Sequence, residues 1–246
     1  MTSSGFCAKV QAAISNGAQA RVTASIPKLE PISQRATNLK VYDQVRDAIA
    51  AGRFKPGDSL STRQFADALG VSQMPVREAF HRLVAEGALE NRSNRTIGLP
   101  LIKLSEFNEI AEIRIMLESL AARKAAANLG PKDCAKLHQL SQDMEVASDR
   151  QDNARYLVMN RRFHFSIYRG SGSVELVRLI EQLWLRIGPF LNWISTPQDS
   201  RTRSKMHHLA IIHACEKHDG EAAAAAVADD LRDGAEMVRA KLRAME

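Results

Sequence analysis

"LGVSQMPVREAFHRLVAEGAL", residues 69–89, decides the reading of the N-terminal half of the chain. Val76, Ala79, Phe80, Leu83 and Val84 recur at the spacing of one helical face, which predicts a helix with a buried stripe. Ser72 suits the N-cap, Pro75 falls in the first turn where its missing N–H is tolerated, and Gly87 ends the run. Gln73, Arg77 and His81 fall four apart on another face, with Met74 beside them. That groups an amide, a guanidinium and an apolar tip near a helix N-terminus, whose free N–H groups and positive dipole end suit phosphate. In a DNA major groove Arg can take both acceptors of guanine, and Gln can pair with adenine. A helix that served only a core would need the stripe alone.

Upstream lies "STRQFADALG", residues 61–70. Ser61 and Gln64 form a capping-box pattern, Phe65, Ala66 and Leu69 make an apolar face, and Gly70 closes the helix. Only Val71 and Ser72 separate the two helices, so they must cross at a large angle, as in a helix-turn-helix. Arg63 opens the first of them and can reach the same groove or its phosphates. An earlier helix is expected from residue 38, with Val41, Val45, Ala48 and Ile49 inward, broken by Gly52, Pro56 and Gly57. Downstream, a turn at Ser93-Asn94 is flanked by Arg92 and Arg95. Leu89 before it and Ile97 and Leu99 after it predict a short hairpin, a basic-tipped wing.

The rest of the chain bounds this reading. With 246 residues there is room for two ordinary domains. Hydrophobic residues at 45% and charged residues at 25% fit a soluble globular protein, and no apolar run approaches the roughly 20 residues a bilayer span needs. No secretory signal is expected, and three scattered cysteines form neither a zinc spacing nor a disulfide framework, which fits a reducing cytoplasm. The net charge of +6 is uneven: +3 over residues 1–36, +2 over 37–100 and +1 over the remainder. Excess positive charge toward one end suits a polyanion there.

Residues 1–36 lack a sustained period and have no acid before Glu30, so they read as a mostly disordered arm. Residues 37–100 form the winged helix-turn-helix. From residue 101 to 246 the texture is helical, with patterns near 106–128, 132–149, 153–169, 173–194, 199–218 and 220–243. Breaks fall at Gly130-Pro131, at residues 170–173 and at Asp219-Gly220. The expected fold is mainly α: a winged helix-turn-helix followed by an all-α antiparallel bundle.

Residues 48–90 resemble the winged helix-turn-helix of the GntR regulators. Gly52, Pro56, Gly57, Leu60, Gly70, Ser72, Pro75, Val76, Arg77, Glu78, Ala79, Arg82, Leu83, Glu86 and Gly87 match the family pattern. "EIAEIRIMLESLAARKAA" from residue 109, "NRRFHFSIY" at 160–168 and "HHLAIIHACEKHDGEAAAAAV" from 207 resemble the helical ligand-binding (FCD) domain of the FadR-type branch. The resemblance implies a homodimeric transcription factor on double-stranded operator DNA. Its DNA affinity would respond to a small organic acid. Candidate DNA contacts are Arg63, Ser72, Gln73, Met74 and Arg77, with Asn94 and Arg95 on the wing. Two departures stand out: the family commonly has a basic residue at Gln73 and Gly at Asn94, though Asn tolerates a left-handed backbone.

The family pocket often holds a divalent metal on an Asp or Asn and three His; the corresponding positions here are Asn160, His164 and His208, with Asp230 where the family has the last His. Asn160 and His164 lie one helical turn apart; imidazole and oxygen ligands suit Zn, Ni or Mn without choosing among them. Asn160 is the weakest member, because a neutral amide binds less strongly than a carboxylate. His207 points about 100° from His208 and, with His213, reads as a neighbour or surface group. Arg114 and Arg162 are candidates for gripping an effector carboxylate.

Two other classes compete. His207/His208, His218-Asp219 and Asp229/Asp230 loosely resemble the metal site of an HD-type phosphohydrolase, but His218-Asp219 sits at a helix break and the winged domain would go unexplained. A DNA-binding architectural protein without ligand would leave the large bundle without a task. No enzyme activity is expected.

Overall fold

Val76, Ala79, Phe80 and Leu83 are buried, and Val84 packs partly buried against them. The computed structural model describes residues 34–92, 96–193 and 198–245. Helix α1 (Gln34–Ala50) starts three residues inside the span assigned to the arm, most of which lies outside the described residues. It buries Val41, Val45 and Ile49 as expected, and also Tyr42, whose hydroxyl donates to the Glu86 carboxylate at 2.7 Å. Helix α2 (Thr62–Leu69) is capped by Ser61, which accepts from the Gln64 N–H at 3.4 Å, and is closed by Gly70 at φ 64°. Helix α3 (Gln73–Ala85) carries the decisive stripe. Phe65 meets Phe80 edge-on at 5.2 Å, locking α2 across α3.

The wing is a three-stranded antiparallel sheet in the order β1 (Ser59–Leu60), β3 (Ile97–Gly98), β2 (Glu90–Asn91). Leu60 and Asn91 both pair with Ile97. The hairpin was expected; the added strand β1 was not. Arg92 is a correction. It does not extend toward the wing tip but folds back across the sheet. Its guanidinium donates to the carbonyls of Gly57 (2.8 Å) and Leu99 (2.6 Å) and to Ser59 Oγ (3.1 Å), and pairs with Glu90 (2.9 Å). This needs Gly98, where a Cβ would stand 2.5 Å from Arg92 Cζ. Asn94 and Arg95 lie outside the described residues.

Among the described residues, six α-helices build the second half: α4 (Leu104–Ala126), α5 (Pro131–Asp149), α6 (Asn153–Gly170), α7 (Val174–Ile187), α8 (Gln198–Glu216) and α9 (Gly220–Arg243). The fourth predicted helix, expected over 173–194, changes at Gly188 into a 3-10 helix (Gly188–Trp193). Helices α4 and α9 run antiparallel: Gly220 touches the Arg123 carbonyl, and Arg239 Nε donates to Asn108 Oδ1 at 2.8 Å. Buried alanines on both, among them Ala121, Ala122, Ala223 and Ala224, join the bundle core or its edge.

The winged domain and the bundle pack together within the unit Gln34–Glu246. Asn192 donates its side-chain N–H to the carbonyls of Gly52 and, at 3.0 Å, Phe54. Gly188 lies so close to α1 that a Cβ there would be 2.3 Å from the Ile49 carbonyl oxygen. Leu185 inserts into the winged-domain core, and Arg161 reaches Asp47 at 3.3 Å.

Candidate functional site

The polar face of α3 is left open. Gln73, Arg77 and His81 are exposed and make no side-chain hydrogen bond or ion pair among the described residues, as does Arg63 on α2. Met74 is 58% exposed, an apolar tip held in water at the helix front. Ser72 takes the extended backbone of an N-cap, but its hydroxyl makes no capping bond. The hydroxyl and the first-turn N–H groups therefore remain available to an anion. The neighbouring charges are engaged elsewhere: Glu78 accepts from Asn38, while Arg82 pairs with Glu86 at 3.0 Å and lies over the Tyr42 ring.

The second site lies inside the bundle. The ligand atoms of His164, His208 and Asp230 fall within 4.8 Å of one another. Both imidazoles are buried, and Asp230 Oδ2 stands 3.3 Å from His164 Nε2. Asn160, one turn before His164 on α6, lines the adjoining cavity. Burial depresses the His208 ring to about 4, against the opposing pull of Asp230, so it stays neutral. Burial works against ionising Asp230, yet its hydrogen bond to His164 and the nearby imidazoles hold it down at about 2. A neutral imidazole and an ionised carboxylate are the protonation states that metal ligation requires.

The orientation of His164 points the same way. Glu118 is wholly buried and accepts from Arg114 Nε (2.6 Å), Trp184 Nε1 (3.0 Å) and the Tyr168 hydroxyl. Because the single Tyr168 proton goes to Glu118, its oxygen is left to accept from His164 Nδ1 at 3.1 Å. His164 Nε2 then faces the Asp230 carboxylate at 3.3 Å. A shared proton or a metal cation can fill the space between them, and a histidine fixed through its other ring nitrogen is the usual form of a metal ligand. The donor set therefore fits a divalent metal.

The predicted effector cations fare differently. Arg114 lines the cavity but is bound to Glu118 and stacked 4.8 Å over Trp184. Arg162 is exposed and outside the cavity lining, because two residues along α6 rotate it about 200° from Asn160. Arg203 on α8, which the sequence reading missed, lines the cavity and makes no ion pair among the described residues. His207, expected as a neighbour or surface group, is a neighbour of the cluster: it lines the cavity, 2.9 Å from Asp233. Helix α8 meets the cavity through Arg203, Ser204 and His207. Glu118 was missed too. Its signal was an Arg-Glu pair at i,i+4 running into the buried alanines of α4.

The phosphohydrolase grouping is not assembled. His218 Nδ1 bonds the Ala126 carbonyl at 2.8 Å, Asp219 caps α9 through the Ala222 N–H, and Asp229 pairs with Arg232.

A winged helix-turn-helix joined to an all-helical domain with an internal cavity defines a DNA-binding transcription regulator. The chain belongs to the GntR family of bacterial regulatory proteins, matching that family over residues 37–98 and the FCD domain over residues 109–233. It is 34% identical over 176 residues to the HTH-type transcriptional regulator McbR of Escherichia coli K12, covering 70% of this chain and 80% of McbR. A protein of Paenarthrobacter nicotinovorans, described as the probable D-xylose utilization operon transcriptional repressor, is 32% identical over 203 residues, covering 79% of this chain and 87% of its own. The solved structure of E. coli McbR/YncC superposes with a TM-score of 0.77 at 30% identity, over 83% of this chain and 97% of that one. No described helix is long and apolar enough to cross a membrane.

Proposed function

We propose that this transcription regulator is a cytoplasmic homodimer whose hold on operator DNA responds to a small carboxylate, as suits control of a metabolic operon. Arg63, Ser72, Gln73, Met74 and Arg77 contact the DNA, with Asn94 and Arg95 on the wing. Asn160, His164, His208 and Asp230 hold a divalent ion. The ion, when bound, supplies a positive centre that a carboxylate can share. Arg203, which lines the cavity, is placed to pair with the effector's carboxylate, a role better suited to it than to Arg114 or Arg162. The observation that carries this reading is the buried His164–His208–Asp230 cluster, whose ligand atoms converge within 4.8 Å beside a cavity.

The 3-10 helix supports a route from cavity to DNA. Leu191 lines the cavity, and Asn192 beside it holds two carbonyls of the winged domain. A ligand that moves this turn re-aims α3, and in a dimer that changes the spacing of the two reading helices. Dimerisation is supported by Ile113, Met116 and Leu120, exposed on one face of α4 at 46%, 67% and 40%.

The test is metal content per protomer of the purified chain. About one Zn, Ni or Mn supports the site. None, after incubation with all three, refutes it.

A further inference from the structure

The cavity is graded along its length. On four of its walls the group nearest the His164–Asp230 pair is polar or hydrogen-bonded and the group two turns away is apolar, while α8 lines it with Arg203, Ser204 and His207. On α4 the order is Arg114, Ala111, Phe107; on α6 it is His164, Asn160, Leu157. On α7 and the 3-10 helix, Trp184 gives way to Ile187 and Leu191. On α9, Asp230 is followed by Gly234 and Val238. Eight residues separate Asp230 from Val238, so the gradient runs about 12 Å. Gly234 leaves the middle of the α9 wall without a side chain. The far end is closed by apolar groups: Phe107 lies 6.1 Å from the Phe190 ring, and Leu157 Cδ1 packs near Gly52 of the winged domain.

A polyhydroxylated acid would strip water from its hydroxyls at the far end and find no partner for them there. We infer that the effector is an amphiphilic monocarboxylate, its acid group at the His164–His208–Asp230 end and an alkyl or aryl tail lying between α4 and α9 toward Leu157 and Leu191. This rests on the proposed metal-centred pocket and adds the chemistry of the tail. The tail ends against the same turn whose Asn192 grips the winged domain, so tail length, and not the acid group alone, sets the response.

The experiment is titration calorimetry of the full chain, zinc-loaded and EDTA-treated, with acetate, butanoate, hexanoate, phenylpropanoate, tartrate and gluconate. Affinity is expected to rise about fourfold per methylene, on the order of a hundredfold from acetate to hexanoate. Tartrate and gluconate should bind no better than acetate. In Val238→Ser the chain-length gain should shrink while acetate binding persists, which also shows that the variant is folded. Zinc-dependent binding with no gain from acetate to hexanoate, or with gluconate above hexanoate, overturns the tail assignment and leaves the metal pocket standing. A chain-length gain that survives EDTA supports the tail and removes the metal. No binding by any acid overturns both.

Discussion

Replacing Glu118 with Gln should be among the most damaging single changes in the bundle. The side chain is 0% exposed and gathers three donors, one of them the guanidinium of Arg114, itself only 8% exposed. Gln keeps the shape but turns one acceptor into a donor and leaves the Arg114 charge uncompensated. Removing one partner of a buried ion pair costs about 3–5 kcal/mol. At about 2–4 °C per kcal/mol for a chain of this size, the melting temperature should fall by roughly 6–20 °C. The double variant Arg114→Met, Glu118→Leu removes both charges together and should recover most of that loss. Calorimetric melting of the metal-free protein measures it. Metal affinity should drop as well, by about 10–100-fold, because Tyr168 must then compete with Arg114 and Trp184 for the one remaining acceptor oxygen and fixes the His164 ring less firmly. A fall under about 3 °C for Glu118→Gln would refute the reasoning. Arg114 would then be free for an effector carboxylate, and the preference for Arg203 would have to be withdrawn.

Arg77→Ala should weaken operator binding by about 1–3 kcal/mol and relax base preference at one position of each half-site, read by gel shift across a set of operator variants; unchanged affinity and preference would count against the groove assignment. His164→Ala should abolish metal retention while leaving operator binding without effector unchanged, so equal metal in variant and parent removes His164 from the site. The His208 ring, held at about 4 when folded and near 6.5 when unfolded, leaves the unfolded chain binding more protons between those values. Stability of the metal-free protein should therefore be complete above pH 6.5 and fall by up to about 3 kcal/mol as pH drops toward 4. Urea unfolding across that range tests it, and His208→Gln must flatten the slope. Asn192→Ala should preserve metal and effector binding but cut the effector's influence on operator affinity; full retention of that influence would exclude the 3-10 route.

The winged domain was legible because its signals are local. Caps, the turn glycine and the helical stripe all fall within 30 residues, and each lies where the pattern put it, although the Ser72 hydroxyl makes no capping bond. Arg92 and strand β1 were not legible, because both depend on pairing across more than 30 residues that no short pattern encodes. The bundle helices were bounded by Gly130-Pro131 and Asp219-Gly220, but the change at Gly188 was hidden: apolar spacing runs on through Phe190 and Leu191. What decides the change is the close approach of α1 at Gly188, a tertiary fact. The cluster of His164, His208 and Asp230 was reached only through family resemblance, since nothing in their spacing requires three helix faces to meet. Arg203 was lost for the same reason: whether a helical residue lines a cavity depends on the rotation of its helix against its neighbours.

Two polar links join the side of the candidate metal centre to the winged domain, and their magnitudes separate them. Arg161, next to Asn160 on α6, reaches Asp47, but that carboxylate is half exposed and such a pair contributes about 0–1 kcal/mol. Asn192 instead satisfies the carbonyls of Gly52 and Phe54 from one amide in a half-buried joint. Two such bonds contribute about 1–3 kcal/mol together, and stranding the carbonyls costs at least as much. Allosteric coupling between two sites typically amounts to about 1–3 kcal/mol. The Asn192 joint can supply that range and the Arg161 pair cannot. Gly188 keeps the joint discrete: with the Ile49 carbonyl this close, the turn cannot press further toward α1, and any movement driven from the cavity must go by sliding or release. A cavity wall that can only hold or let go is the kind of two-state element through which a bound acid could change the grip on DNA.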